Sequence, residues 1–549
     1  MRTVSLLDLK GENMSDTPTI AVVGSGPIGA AYARVLLESL PHARVIMFEA
    51  GPQVTERPGE SVRNIADPDE KARARERSQG PQAGEYRDSL GIPSGTIVEG
   101  MFTARQGTHL LDFGGEGSAH APTFPAAAAA TNVGGQGAHW TCAIPRPAFS
   151  EKLDFIADDE WEDLISTAED LLHKQSAAFS DSPVGAAIRT LLDREFGAEL
   201  PEGYGVSTLP VAGDPQLDGT MRWAGTDTVL GPLIEPGTDT AARFELRDLT
   251  LVRRIEHDGA RVRGVLVEDL RTHEESFVPA DAVVVAADAF RSPQLLWASG
   301  IRPAPLGRYL TEHHVVIGTV ILDGERMSEL VSDDELQAEL ARRAMNPADP
   351  VAAVNRIPFS EPHHPYSAQI MYAETPPFPL DPAHPAAGNR WGYINMGFGV
   401  RKFPRVEDGV TFSDDELDYR GLPNFTIEYA LTDREDAEIA EATERLRRAG
   451  AALGSFITEP RLLPNGSSLH FMGTMRAGTD PATSVADPYS HVWGFENLVV
   501  GGNGLIPTAN TMNPTLTSMA IAVRGARRLA EELGGAGAAA VDTGELAKA

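Results

Sequence analysis

Three glycines and one glutamate carry the first chemistry that can be read in this chain. Gly24, Gly26 and Gly29 stand in the spacing G-x-G-x-x-G, and Glu49 follows 20 residues after the last of them. Glycine at the first position allows a sharp turn, at the second a close backbone approach to a phosphate, and at the third tight packing of helix on strand. The N–H groups of a helix starting here have no intrahelical acceptor and face an anion. The Glu49 carboxylate suits the hydroxyls of a ribose that carries no phosphate. The elements needed to hold these residues are present. Thr19 to Val23 is a short apolar β-branched run, and Arg44 to Phe48 is a second, ending beside Glu49. Strand, glycine turn, helix, strand and acid in this order predict a dinucleotide-binding βαβ unit.

The rest of the chain must build what surrounds that unit. With 549 residues it exceeds the size at which one core keeps growing, so two intertwined domains are expected. Apolar content of 42% is that of a folded globular protein. The 78 acidic against 47 basic residues, a net charge of −31, repel nucleic acid and anionic membranes. Neither is expected as a partner. A single cysteine, Cys142, allows no intrachain disulfide. The apolar stretch Val4 to Leu9 is broken by Asp8 and does not read as a signal peptide, which predicts a cytoplasmic protein.

Helical patterns run around Asp158 to Lys174, Val184 to Phe196, Arg291 to Gly300, Arg434 to Leu453 and Thr515 to Leu533. Thr432 and Glu435 form a capping-box pattern before the fourth. Alternating runs at Phe244 to Ile255, Arg261 to Asp269 and Glu275 to Pro279 predict an antiparallel meander. Ala282 to Ala287 reads as a buried parallel strand. Tyr309 to Ala430 alternates strand-like runs with Pro-rich loops, the pattern of a sheet with elaborated edges. The segment after Leu533 is small and polar and is expected to be disordered.

The segment Leu469 to Ala520, LHFMGTMRAGTDPATSVADPYSHVWGFENLVVGGNGLIPTANTMNPTLTSMA, resembles the terminal signature of the glucose–methanol–choline oxidoreductases, a family of flavoproteins. NVGGQGAHWTCAIPRP at Asn132 to Pro147 is similar to a flavin-attachment segment of its pyranose-oxidising branch. ADAFRSPQLLWASG at Ala287 to Gly300 and LGRYLTEH at Leu306 to His313 match further segments of that branch. The resemblance runs in order from Thr19 to Leu533. It implies an α/β (overall α+β) fold, with a Rossmann-like FAD-binding domain and a substrate-binding domain built on a large mixed or antiparallel sheet. It places FAD-binding parts at 15–155, 231–308 and 466–533. Substrate-side parts fall at 156–230 and 309–465, with a tail at 534–549.

The resemblance also implies a site. The family's catalytic pair falls on His470 and Asn513. There the histidine takes the proton of a substrate hydroxyl as hydride leaves the same carbon for the flavin. Imidazole suits that task near neutrality, and an amide can donate to the developing alkoxide. Gly24, Gly26, Gly29 and Glu49 would hold the ADP half of FAD. Val252 falls beside the adenine, Asn503 toward pyrophosphate and ribityl, and Thr515 among the cofactor contacts. Thr141 matches a threonine beside the reactive end of the flavin. His139 matches a histidine that bonds the flavin covalently in fungal members. Gly137 and Ala138 replace Ser and Thr there, so a noncovalent flavin over an unlinked His139, and His139 as a packing residue, stay as alternatives. Gln369 aligns with a strand that touches sugar hydroxyls. Ala373 stands where the fungal enzymes have aspartate, and TPPFPLDPAH at Thr375 to His384 replaces their aromatic loop.

The leading expectation is FAD-dependent oxidation of a ring secondary hydroxyl of a pyranose, as at C2, with oxygen or a quinone as acceptor. The alternative is a sugar or C-glycoside 3-oxidase or 3-dehydrogenase. More remote are a hydroxynitrile-lyase-like enzyme and a non-enzymatic flavoprotein. Val62 to Gln79 resembles an arm that mediates assembly in tetrameric relatives, which leaves a homo-oligomer open. The adjacent pairs His313–His314 and His363–His364 point to opposite sides of an element and do not suggest a metal site. Tyr366, Trp391 and Phe398 are candidates for stacking on a sugar ring, against a plain role in the core.

Overall fold

A computed structural model describes residues 17–78, 109–110, 123–216, 220–344, 351–373, 380, 383–384, 386–418 and 420–534. Most of the Thr375–His384 loop, Gln79 and the tail beyond 534 lie outside the described residues.

Two sheets organise the chain. The first has five parallel strands in the order Leu498–Val500, Ala282–Val285, Thr19–Val23, Arg44–Phe48 and Phe244–Arg247. The three inner strands are almost wholly apolar and nearly inaccessible, as a sheet covered on both faces requires. Helices Pro27–Ser39 and Thr515–Glu532 pack on each other beside it. The run Phe244 to Ile255 is not one meander strand. It breaks at Asp248 and Leu249, where Leu249 takes φ +47. The first half joins the parallel sheet next to Arg44–Phe48. The second half, Thr250–His257, pairs with Val262–Asp269, which pairs with Glu274–Pro279. Alternation along the run could not register that switch of sheet, because both halves are half-buried strands.

The second sheet has six antiparallel strands in the order Gly454–Leu462, His314–Leu322, Tyr393–Val400, Ser367–Ala373, Val351–Ile357 and Ser207–Thr208. Its two faces differ by the period of two along each strand. Val316, Ala368, Ile370, Met396 and Phe398 point into a core shared with helices Pro183–Phe196 and Asp433–Leu453. Val315, Ser367, Gln369, Gly397 and Gly399 point the other way and line a cavity. Helix Asp433–Leu453 covers the core face with Ala442, Leu446, Ala449 and Leu453, spaced three and four apart. Its N-terminus is closed by the Thr432–Glu435 capping box. Tyr366, Trp391 and Phe398 all belong to this core and are at most 3% exposed. They do not line the cavity. Helix Pro68–Arg77 starts behind an Asp67 side chain that accepts from Glu70 N. Among the described residues no helix is long and apolar enough to cross a membrane.

Candidate active site

A cavity of about 470 Å³ runs from the C-terminal ends of the parallel strands to the open face of the second sheet. Gly24, Gly26, Glu49, His139, Thr141, Val252, Gln369, His470, Asn503, Asn513 and Thr515 all line it. Gly29 stands just behind the wall, where any Cβ would meet the Gly24 carbonyl oxygen.

At one end the cavity is shaped by backbone. Gly24 takes φ +99, a conformation that suits glycine, and a side chain there would strike Ala286. Gly26 is the N-cap of helix Pro27–Ser39 and supplies no side-chain cap. A Cβ on Gly26 or Gly502 would point into open space. The first-turn N–H groups therefore face a cradle that is open among the described residues, which suits a pyrophosphate. Glu49 accepts from Ser25 N at 3.2 Å, Ser25 Oγ at 2.8 Å and Gly51 N at 2.8 Å. Burial raises its carboxyl above the ordinary carboxylate value, and these donors oppose the rise. Asn503 is held by Ser518 Oγ at 2.6 Å.

Midway stands His139, after the short 3-10 turn Gly135–Ala138. Its Nε2 is buried without a hydrogen-bond partner among the described residues. Burial, with Arg75 nearby, lowers its pKa to about 4, so the ring is neutral at pH 7. A bare, neutral imidazole nitrogen against the cavity fits either a bond to a flavin or a contact with one.

At the other end side chains take over. His470 Nε2 lies 3.4 Å from Asn513 Nδ2. Gln369 Nε2 donates to Asn513 Oδ1, which turns the Asn513 NH₂ toward His470. His470 Nδ1 lies 2.6 Å from His313 Nε2. Two buried carboxyls hold the loops that present the pair. Glu312 accepts from Gly466 N and from Ser468 Oγ at 2.6 Å, and Ser468 Oγ in turn accepts from His470 N at 3.1 Å. Glu151 accepts from Thr511 N at 2.8 Å and Thr511 Oγ1 at 2.6 Å, two residues before Asn513. Burial pushes both carboxyls up to about 7. Leu469 takes φ +58, a strained conformation for a branched residue. His314 points away from the cavity toward Tyr429, and burial lowers its pKa to about 3.

His313, Glu312, Ser468, Glu151 and Thr511 carry no motif of their own, and sequence reasoning missed their part in this end of the site. LGRYLTEH, the His313–His314 pair and the Leu469–Ala520 signature lie at or beside some of these residues, but none of them showed which side chains meet. Among the described residues no group of three His, Cys, Asp or Glu side chains could hold a metal ion.

Family models and close relatives together make this chain an FAD-dependent oxidoreductase acting on CH–OH groups. The chain belongs to the GMC oxidoreductase family. Two models described as GMC oxidoreductase match residues 222–315 and 406–522. The chain is 40% identical to a C-glycoside 3-oxidase of Microbacterium trichothecenolyticum over 94% of its length and 96% of that protein's. It is 37% identical to a C-glycoside 3-oxidase of Arthrobacter globiformis, over 96% and 97%. A pyranose 2-oxidase of Tricholoma matsutake is 30% identical, over 94% of each. In fold it is similar to the crystal structure of pyridoxine 4-oxidase from Mesorbium loti. The TM-score is 0.59 at 18% identity, covering 93% of this chain and 99% of that one.

Proposed function

We propose that this enzyme oxidises the C3 hydroxyl of a glycosidic sugar, C-glycosides included, to the ketone. The regiochemistry rests on one observation: the two C-glycoside 3-oxidases are more similar to the chain than the pyranose 2-oxidase, at similar coverage. The C3 alternative is therefore preferred to C2 oxidation of a free pyranose.

The mechanism follows from how the residues face one another. FAD held against the glycine cradle supplies the hydride acceptor. Gln369 turns the Asn513 amide so that its N–H groups face the space beside His470. A substrate hydroxyl lodged between them donates its proton to His470 Nε2. Asn513 Nδ2 then donates to the oxygen as negative charge builds there. The small residues Gly397 and Ser367 leave room on the sheet for a sugar ring. Oxygen, or a quinone in its place, would be the final electron acceptor. His139 supports covalent attachment through its unpartnered Nε2; flavin that stays with the acid-precipitated chain would establish it, and flavin released by the acid would reject it.

The decisive experiment is anaerobic bleaching of the flavin by a panel of free pyranoses and C-glycosides, followed by NMR of the product. C-glycosides are expected to bleach it, and the new carbonyl to sit at C3. A carbonyl at C2 would return the enzyme to the pyranose 2-oxidase reading. No bleaching by any sugar or glycoside would defeat both.

A further inference from the structure

We infer that His313 is a positioning residue for the reaction. Its Nε2 accepts the proton on His470 Nδ1 and so keeps His470 Nε2 bare toward the substrate hydroxyl. The inference rests on the reading of His470 as proton acceptor.

The backbone brings the two rings together. Thr311 and Met472 form an antiparallel bridge, with Thr311 N to Met472 O at 3.0 Å and Met472 N to Thr311 O at 2.8 Å. His313 and His470 lie two residues from that bridge in opposite chain directions. They therefore face each other on one side of the pairing, while Glu312 lies on the other. The ring centroids are 4.9 Å apart and the nitrogens 2.6 Å. His313 is 7% exposed and lines the same cavity. Gly399 lies beside it: a Cβ there would strike the Thr511 carbonyl oxygen and come within 3.2 Å of His313 Nδ1.

Hydrogen-bond bookkeeping then fixes the direction. Gln369 occupies Asn513 Oδ1, so Asn513 presents N–H groups to His470 Nε2. A nitrogen that faces a donor carries a lone pair. A neutral imidazole has one N–H, which must then be on Nδ1. The atom 2.6 Å from Nδ1 must accept it, and that atom is His313 Nε2. During the reaction one proton leaves the substrate oxygen and bonds to His470 Nε2. The Nδ1 proton stays where it is, and His313 gains none. His470 is then an imidazolium donating to a neutral acceptor, a charge-assisted bond roughly twice as strong as the neutral one. His313 thus favours the product of proton transfer and selects the competent tautomer beforehand.

The test uses the holoenzyme, with anaerobic stopped-flow reduction of the flavin by the substrate that bleaches it best. His313→Leu removes the acceptor. Its limiting rate is expected to fall about 10–100-fold, the scale seen when a metal-bound histidine loses the partner that orients it, with half-saturation nearly unchanged. His313→Gln places an amide oxygen at the same reach and should restore the rate to within about fivefold, since only the acceptor is needed. A Leu variant reduced at the wild-type rate overturns the inference. So does a Gln variant as slow as the Leu variant, which would point to ring packing instead. Nitrogen-15 NMR of histidine-labelled wild-type enzyme gives a readout that needs no variant at position 313. The resonances missing from His470→Ala should report a protonated Nδ1, and a protonated Nε2 would refute the inference. If His470→Ala itself reduces flavin at the wild-type rate, the acceptor reading fails first. If it is slow and His313→Leu is not, only His313 loses its role.

Discussion

The two ends of the cavity are built in different ways. The nucleotide end is a matter of backbone: Gly24, Gly26 and Gly29 act through the side chains they lack, and all three lie within six residues. The reacting end is a matter of side chains: His313, Gln369, His470 and Asn513 come from four separate stretches and meet through hydrogen bonds. A backbone cradle either forms or does not, because a Cβ at Gly24 or Gly29 would strike backbone. A side-chain network loses one bond at a time. The first end should therefore fail as a whole and the second by degrees.

Gly29→Ala is the sharpest test of the first half of that contrast and has the largest expected effect. The added Cβ would meet the Gly24 carbonyl oxygen, and backbone cannot yield as a flexible side chain can. FAD affinity is expected to fall about 5–150-fold, with the flavin content of the purified protein falling accordingly, given that overpacking at a rigid site costs roughly 1–3 kcal/mol. Normal flavin content in Gly29→Ala would break the comparison, since the third glycine would then be dispensable.

His470→Ala addresses the other end. It should bind FAD fully, with a native flavin spectrum, because His470 belongs to no part of the cradle. Anaerobic reduction should slow by about 10²–10⁴, the usual contribution of a general base. Loss of flavin from this variant would show the two ends to be one cooperative unit. Reduction at the wild-type rate would remove His470 from the reaction.

The same contrast decides what could be read from sequence. The cradle was legible because its determinants are local: the glycine spacing, the β-branched run before it and Glu49 after it fix one another within 31 residues of Thr19. The helices were legible from spacing and caps, as with Thr432 and Glu435. The pairing of His470 with Asn513, 43 residues apart, came only from resemblance to a family, since nothing in the spacing joins them. His313 was visible as a residue but not as a partner. Its meeting with His470 depends on the Thr311–Met472 bridge, which joins strands far apart in the chain. Tyr366 and Phe398 show the opposite limit. Their types suit sugar stacking, yet the alternation of the sheet turns them into the core and gives the cavity the small residues beside them.

The smallest expected effect concerns the carboxyl behind the His470 loop. Glu312 is fully enclosed, and burial raises it to about 7 against the hydrogen bonds from Ser468 and Gly466. Its unfolded value is the ordinary one, near 4.5. The folded state therefore binds the proton more tightly than the unfolded state does. The resulting stability is complete below about pH 4.5 and is lost as pH rises through about 7. Glu312→Gln cannot ionise and should not share that loss. Its amide oxygen still accepts from one of the two donors, so the variant should melt slightly below wild type at pH 5. Between pH 5 and 8 the wild-type melting temperature should fall further than that of the variant, by a few degrees at most in a protein of this size. Differential scanning fluorimetry of both holoenzymes across that range measures the difference directly. Parallel curves would mean that Glu312 stays ionised inside the fold, and that its two donors outweigh the cost of burying the charge. In that case the loop carrying His470 would be held by a carboxylate at every pH at which the enzyme is folded, and the reacting end would owe more to a fixed charge than the hydrogen-bond geometry alone implies.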